Sequence, residues 1–263
     1  MRFASLGSGS RGNALVVETG QTRVMLDCGF SMRETVQRLA RLELMPEQLS
    51  AIVVTHEHAD HISGVAPFAR KFNIPVWLTH GTYNYFANHS GSHAGWQFKG
   101  DQPLHLFDSH ERFSVGDLEI EPFPVPHDAR EPARFVFGDG ARRLGVLTDT
   151  GSSTPHIETV LNRCHALVLE CNHDAEMLRN GSYPAGLKQR VAGRFGHLDN
   201  VAAAKFLGKL DNTRLQHVVA AHLSEKNNLP CLAQEALSRV LNCEREWIGI
   251  AGQETGFCWR QIA

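Results

Sequence analysis

The sequence predicts an α/β protein in which β-sheets pack on one another and helices cover them from outside. Short apolar segments recur along the chain, some apolar throughout and some alternating, as expected for strands buried on two faces or on one. Between them lie stretches whose apolar residues carry helical spacing, so strands and helices belong to one layered unit. The length agrees, since 263 residues with 42% hydrophobic content can bury a full core. No low-complexity linker, long charge block or fixed-period repeat interrupts the chain, and residues 1–263 are read as a single domain.

Residues 14–19 and 22–27 read as strands joined by a hairpin turn at Gly20-Gln21. Val36, Leu39 and Leu42 mark an amphipathic helix, and residues 51–55 a buried strand. A histidine-rich motif follows, then a helical stretch over 61–72 and a strand over 75–79. Further strands are expected at 118–123, 134–138, 143–148, 166–170, 217–221 and 246–250, with helices over 154–161, 200–210 and 232–241.

The opening residues lack the apolar run of a secretion signal, and no stretch is apolar enough to span a bilayer, which predicts a cytoplasmic protein without a membrane partner. Six cysteines without a Cys-x-x-Cys pair predict reduced, mostly buried thiols and indicate neither a zinc ribbon nor a disulfide framework. A formal charge of -2 gives no bulk attraction for nucleic acid, so phosphate would need a local patch. Arg130, Arg134, Arg142 and Arg143 form one candidate patch, and Lys188, Arg190 and Arg194 another; clusters of this kind are more often solvated faces.

Fifteen histidines invite a search for metal sites. Thr55-His56-Glu57-His58-Ala59-Asp60-His61 places four N/O donors directly after an apolar strand, where functional loops lie. On a helix His56 would point away from His58 and His61; a turn can aim all of them inward. Two divalent ions need further donors from other strand ends. His127, Asp149 and His222 each follow an extended segment. Any one of them alone would more often be a satisfied core or surface residue; beside the first motif, the metal reading prevails.

The pattern resembles the metallo-β-lactamase superfamily, whose signature is a His-x-His-x-Asp-His loop followed by His, Asp and His ligands. The resemblance implies a four-layer αβ/βα sandwich. It implies that His56, His58 and His127 hold one metal, that Asp60, His61 and His222 hold a second, and that Asp149 bridges them. Asp27 is expected behind the ligands, supporting their loop by hydrogen bonds. The resemblance does not by itself imply a lactamase.

Within the superfamily, residues 6–13, 170–174, 196–200 and 222–228 resemble the exonuclease-like YycJ/WalJ branch. That branch usually has Ser where this chain has Arg11 and Asp199. The glycine-rich 7–13 loop is a candidate anion cradle, with Ser10, Arg11 and Asn13 as substrate-binding candidates and Arg11 suited to bidentate phosphate contact. Asn172 and His173 are candidate cleft residues, Asp199 or Asn200 a helix cap, and His197 a proton donor to a leaving oxygen.

The function expected is hydrolysis of DNA by a hydroxide held between two divalent ions, manganese or zinc with iron also suitable, and oriented by Asp60. The alternative keeps the metals but takes a small cyclic phosphodiester, thioester or lactone. A non-catalytic protein with purely structural metal is the remote third reading, because all seven expected ligands are present. Neither the oligomeric state nor a chemical role for residues beyond Cys231 is legible.

Overall fold

The computed structural model describes residues 1–88 and 103–263. Its strands are β1 (Arg2–Gly7), β2 (Ala14–Thr19), β3 (Thr22–Leu26), β4 (Ala51–Val53), β5 (Val76–Thr79), β6 (Leu104–Phe107), β7 (Phe113–Val115), β8 (Leu118–Pro124), β9 (Ala133–Gly138), β10 (Arg143–Leu147), β11 (Ala166–Glu170), β12 (His217–Ala221), β13 (Gly249–Ile250) and β14 (Phe257–Gln261). One sheet runs β14-β1-β2-β3-β4-β5-β6 and the other β13-β12-β11-β10-β9-β8-β7. The helices are α1 (Met32–Ala40), α2 (Ala59–Ile62), α3 (Val65–Phe72), α4 (His80–Asn88), α5 (Pro155–Leu161), α6 (Ala175–Asn180), α7 (Ala185–Val191), α8 (Asn200–Leu207) and α9 (Pro230–Leu241).

Strand periodicity explains the layers. In β2, Leu15 and Val17 join the core between the sheets while Ala14 and Val16 join the core under α1 and α3. In β11, Ala166 and Val168 face between the sheets while Leu167 and Leu169 face the core under α5, α8 and α9. Both faces of these strands are buried, hence their unbroken apolar character. The resulting order of layers is the expected αβ/βα sandwich.

Local signals agree with several boundaries. Ser31 and Glu34 form a reciprocal capping box at α1. Thr154 caps α5, and Asp199 caps α8 by accepting from Ala202 N. The hairpin at Gly20 pairs Thr19 with Thr22.

The helix expected over 61–72 is instead two, broken at Ser63-Gly64. Gly64 N donates to Cys28 O at 2.8 Å, and a Cβ on Gly64 would run into Phe30 O. The strand expected at 246–250 shrinks to Gly249–Ile250 behind a 3-10 turn. Unforeseen were β1, β6, β7, β14, α4, α6 and α7. Three cysteines, Cys28, Cys164 and Cys171, are buried while Cys231 and Cys258 are exposed, so burial is less general than expected; all six are unpaired. Among the described residues, no helix is long and apolar enough to cross a membrane.

Strand direction gathers the site. β1, β3 and β4 run the same way in the first sheet, as do β8, β10, β11 and β12 in the second. The residues that follow these strands meet at one edge of the sandwich.

Candidate metal centre and its cleft

Three residues leaving those strands adopt left-handed backbone: Asp27 (φ 60°), Asp149 (φ 47°) and His222 (φ 54°). Such conformations cost non-glycine residues about 1–3 kcal/mol and persist where neighbours hold them. Here they are held. Asp27 N donates to Val53 O at 2.8 Å, His222 N donates to Ser8 Oγ at 3.0 Å, and Arg134 donates to the Asp149 carbonyl at 3.1 Å.

The first donor group is His56, His58 and His127. Their hydrogen bonds select which ring nitrogen remains. His56 Nδ1 donates to Thr55 Oγ1 at 2.9 Å, and that hydroxyl donates to Asp27 Oδ2 at 2.9 Å. His56 Nε2 is left buried without a hydrogen-bond partner among the described residues. His127 Nδ1 donates to Gly196 O at 3.2 Å, and His58 Nε2 donates to Asp128 O at 3.2 Å. The remaining nitrogens, His58 Nδ1 and His127 Nε2, face each other at 3.2 Å. Burial pushes His56 well below its ordinary value and His127 down to about 4, which favours neutral rings with free lone pairs. Lone pairs converging on one point, one of them on an orphaned buried nitrogen, fit a divalent cation.

The second group is Asp60, His61, Asp149 and His222. His61 Nδ1 donates to Asp27 Oδ2 at 2.7 Å, which turns Nε2 toward Asp60 (3.4 Å) and Asp149 (3.3 Å). His222 Nε2 lies 3.4 Å from Asp60 Oδ2 and 3.3 Å from Asp149 Oδ1. Burial opposes charge on both rings, yet the carboxylates outweigh it: His61 is raised well above its ordinary value, and His222 up to about 10 by Asp149, Asp60 and Glu170. Buried carboxylates at this density call for positive charge. Imidazolium supplies it in the protein alone, and a divalent ion does so with the rings deprotonated. Asp149 gathers with the second group; among the described residues Oδ2 accepts no hydrogen bond, although Arg134 lies 3.4 Å away.

Buried charges fix these donors from behind. Asp27 accepts from Thr55 N at 2.8 Å as well as from His61 and Thr55 Oγ1. Glu170, fully buried, accepts from Thr150 N at 3.0 Å, Leu198 N at 3.2 Å and His197 Nδ1 at 2.8 Å, and lies 3.5 Å from His222 Nδ1. Sequence reasoning gave Glu170 no role; an acid ending the otherwise apolar strand Ala166–Glu170 was the available signal. Arg134, also fully buried, donates to the carbonyls of Ala133, Thr148 and Asp149. It therefore belongs to no surface patch, and Arg142 and Arg143 are paired with Asp139 and Glu121. The first candidate phosphate patch does not exist as such.

A cleft of about 360 Å³ opens over the donors, and Ser10, Asp60, Asn172 and His197 are among its walls. His197 is tethered through Nδ1 to Glu170, leaving Nε2 as its other ring nitrogen. Three substrate-binding candidates lie elsewhere. Arg11 is engaged by Glu225 at 2.5 Å and Glu254 at 2.6 Å. Asn13 is buried and bonds Gly9 and Asp60. His173 is buried, with Nδ1 3.3 Å from Asn172 Oδ1. The 7–13 loop is not arranged as an anion cradle, because the amides of Ser8, Gly9, Arg11, Gly12 and Asn13 are bonded within the protein. Its glycines Gly9 and Gly12 (both φ 148°) let it fold around Asn13. Its role is to brace Asp60 and His222.

Two groups of histidine and carboxylate donors flooring a cleft at the edge of an αβ/βα sandwich define a metal-dependent hydrolase of the metallo-β-lactamase type. The chain belongs to the β-lactamase superfamily: residues 22–222 match the family described as "Beta-lactamase superfamily domain". It is 37% identical over 241 residues to "Exodeoxyribonuclease YycJ" of Bacillus anthracis, covering 92% of this chain and 89% of that one. It is 34% identical to "Exodeoxyribonuclease WalJ" of Streptococcus pneumoniae, covering 91% and 88%. Among solved structures, the metallo-β-lactamase fold protein YhfI from Bacillus subtilis superposes with a TM-score of 0.75 at 15% identity over 99% of both chains. Zn(2+)-bound PqqB from Methylobacterium extorquens gives 0.71 at 17% identity over 99% of this chain and 100% of that one. These structural likenesses concern the fold.

Proposed function

We propose that the protein is a metal-dependent phosphodiesterase that shortens DNA, an exonuclease-like hydrolase working as a single cytoplasmic domain. The observation that carries this is the pair of adjoining donor groups at the floor of one cleft, in a chain whose full-length relatives are named exodeoxyribonucleases. His56, His58 and His127 would hold one divalent ion, and Asp60, His61, Asp149 and His222 a second. Manganese or zinc suits these donors, and iron is compatible. When bound, such ions lower the pKa of water and offset charge on phosphate oxygens.

The chain's own groups do the rest. Asp60 accepts a hydrogen bond from the attacking water and orients it. His197, held through Nδ1 by Glu170, donates a proton from Nε2 to the leaving oxygen. Asp27 and Thr55 keep His56 and His61 in the tautomers that leave Nε2 free.

The modest cleft volume and the charge of -2 favour a second reading, hydrolysis of a small cyclic phosphodiester, thioester or lactone. Metal-stripped protein refilled with manganese or zinc separates the two, using end-labelled single- and double-stranded DNA beside bis(p-nitrophenyl) phosphate. Stepwise, salt-sensitive shortening of DNA is expected. Hydrolysis of the chromogenic diester alone would move the substrate to a small molecule.

A further inference from the structure

One wall of the cleft is made by a helix that adds nothing to the core. α7 contains no buried residue. Leu187, Arg190 and Val191, spaced to share one helical face, line the cleft together with Tyr183 just before the helix. A surface helix ordinarily turns its apolar stripe inward to the core; this one turns it toward the metal-binding floor. Leu187 remains 37% exposed.

The same wall carries one cation, and a second lies beside its tyrosine. Arg190 Nε lies 2.6 Å from Asp128 Oδ2, and the Asp128 carbonyl accepts from His58 Nε2, so the guanidinium is anchored beside the first donor group. Its planar fork suits phosphate oxygens. Lys226 Nζ lies 5.7 Å from the ring centroid of Tyr183. An aromatic ring interleaved with cations is how proteins hold single-stranded nucleic acid, the ring stacking on a base and the cations taking phosphates. The volume, about 360 Å³, lies near the lower end of ligand clefts, roughly 300–1,000 Å³, and suits one nucleotide better than a duplex.

We infer that the α7 wall seats the terminal nucleotide of a single strand: Tyr183 and Leu187 take the base, and Arg190 with Lys226 takes the phosphates. This rests on the nuclease reading above and sharpens it. Stacking is tolerant of sequence, so the site requires a base at the strand end and is indifferent to which base.

The test uses the full, manganese-loaded chain on single-stranded oligonucleotides whose terminal residue is either normal or abasic with its phosphates intact. Wild-type KM should be about 10-fold lower for the normal end. Tyr183→Ala should raise KM for the normal end by about that factor without an equal rise for the abasic end, and Tyr183→Phe should restore it. Arg190→Ala should raise KM for both ends, since the phosphates are common to both. Melting temperatures should hold, because α7 buries nothing. Equal KM values for the two ends, or a Tyr183→Ala variant that treats normal ends as wild type does, would overturn the assignment while DNA cleavage continued. A wild-type protein that hydrolyses bis(p-nitrophenyl) phosphate but leaves every oligonucleotide intact would remove the nuclease reading and this inference with it.

Discussion

Asp27 and Glu170 are the same device built twice, once in each sheet, with opposite reach along the chain. Asp27 directly follows β3 and serves the contiguous segment from Thr55 to His61, holding His61 directly and His56 through Thr55. Glu170 ends β11 and joins segments far apart in sequence, bonding Thr150 N, His197 Nδ1 and Leu198 N and approaching His222. One orients ligands within a loop. The other ties the proposed proton donor to candidate metal ligands contributed by other strands. The two carboxylates should therefore fail differently.

The largest effect tests whether the donors beneath both devices are essential at all. His58→Ala removes a nitrogen from the first group, and kcat on bis(p-nitrophenyl) phosphate should fall by on the order of 10³-fold or more. The circular dichroism spectrum should be retained, because His58 is partly exposed and belongs to none of the apolar clusters. Wild-type turnover in this variant would remove the metal centre from the mechanism.

Next comes the contrast itself. Glu170→Gln should lower kcat by about 10²-fold through loss of an oriented His197, and should reshape the limb of the pH–rate profile that reports the proposed acid. Asp27→Asn should instead weaken metal retention, by about 10- to 100-fold in a chelator competition, with activity recovered at excess metal. If Asp27→Asn altered the pH profile and Glu170→Gln lost only metal, the assigned roles would be exchanged.

A smaller effect separates them in the protein without metal. Burial pushes the Glu170 carboxyl up, but the charge and hydrogen bond of His197 and the bond from His222 prevail and hold it at about 2, below its ordinary 4.5. A depressed folded value means the contribution to stability is fully present above 4.5 and disappears as pH falls toward 2. Denaturation of metal-free protein across that window should be less pH-dependent in Glu170→Gln than in wild type.

The same difference in reach explains what could be read from the sequence. Residues 55–61 are legible because their spacing is local: four donors in one loop after an apolar strand declare a site without any fold. His127, Asp149 and His222 carry a weaker signal, each standing singly after an extended segment; they become candidates only beside the first motif, and the resemblance assigns their roles. Glu170 and Arg134 lie among apolar strand residues and become intelligible once β8, β10, β11 and β12 are seen to end side by side. Arg11 and Asn13 show the converse: a glycine-rich loop reads as an anion cradle until most of its amides are seen to be bonded within the protein. Edge strands such as β14 were invisible because a half-exposed segment like Phe257–Gln261 lacks the apolar run that marked the central strands.

The smallest expected effect asks whether Glu170 alone fixes its neighbourhood. Two residues beyond His197, Asp199 caps α8 by accepting from Ala202 N at 2.7 Å, so the backbone there is also held from the helix side. Asp199→Ala should cost about 1 kcal/mol, a fall of roughly 2–4 °C in melting temperature. Serine caps about as well as aspartate, so Asp199→Ser, the residue usual at this position in the branch that the sequence resembles, should melt as wild type does. Both variants should keep wild-type kcat on bis(p-nitrophenyl) phosphate if the Glu170 bond suffices to position His197. A drop in kcat confined to Asp199→Ala would show that the cap shares in that positioning, and that the second sheet's device extends beyond its carboxylate.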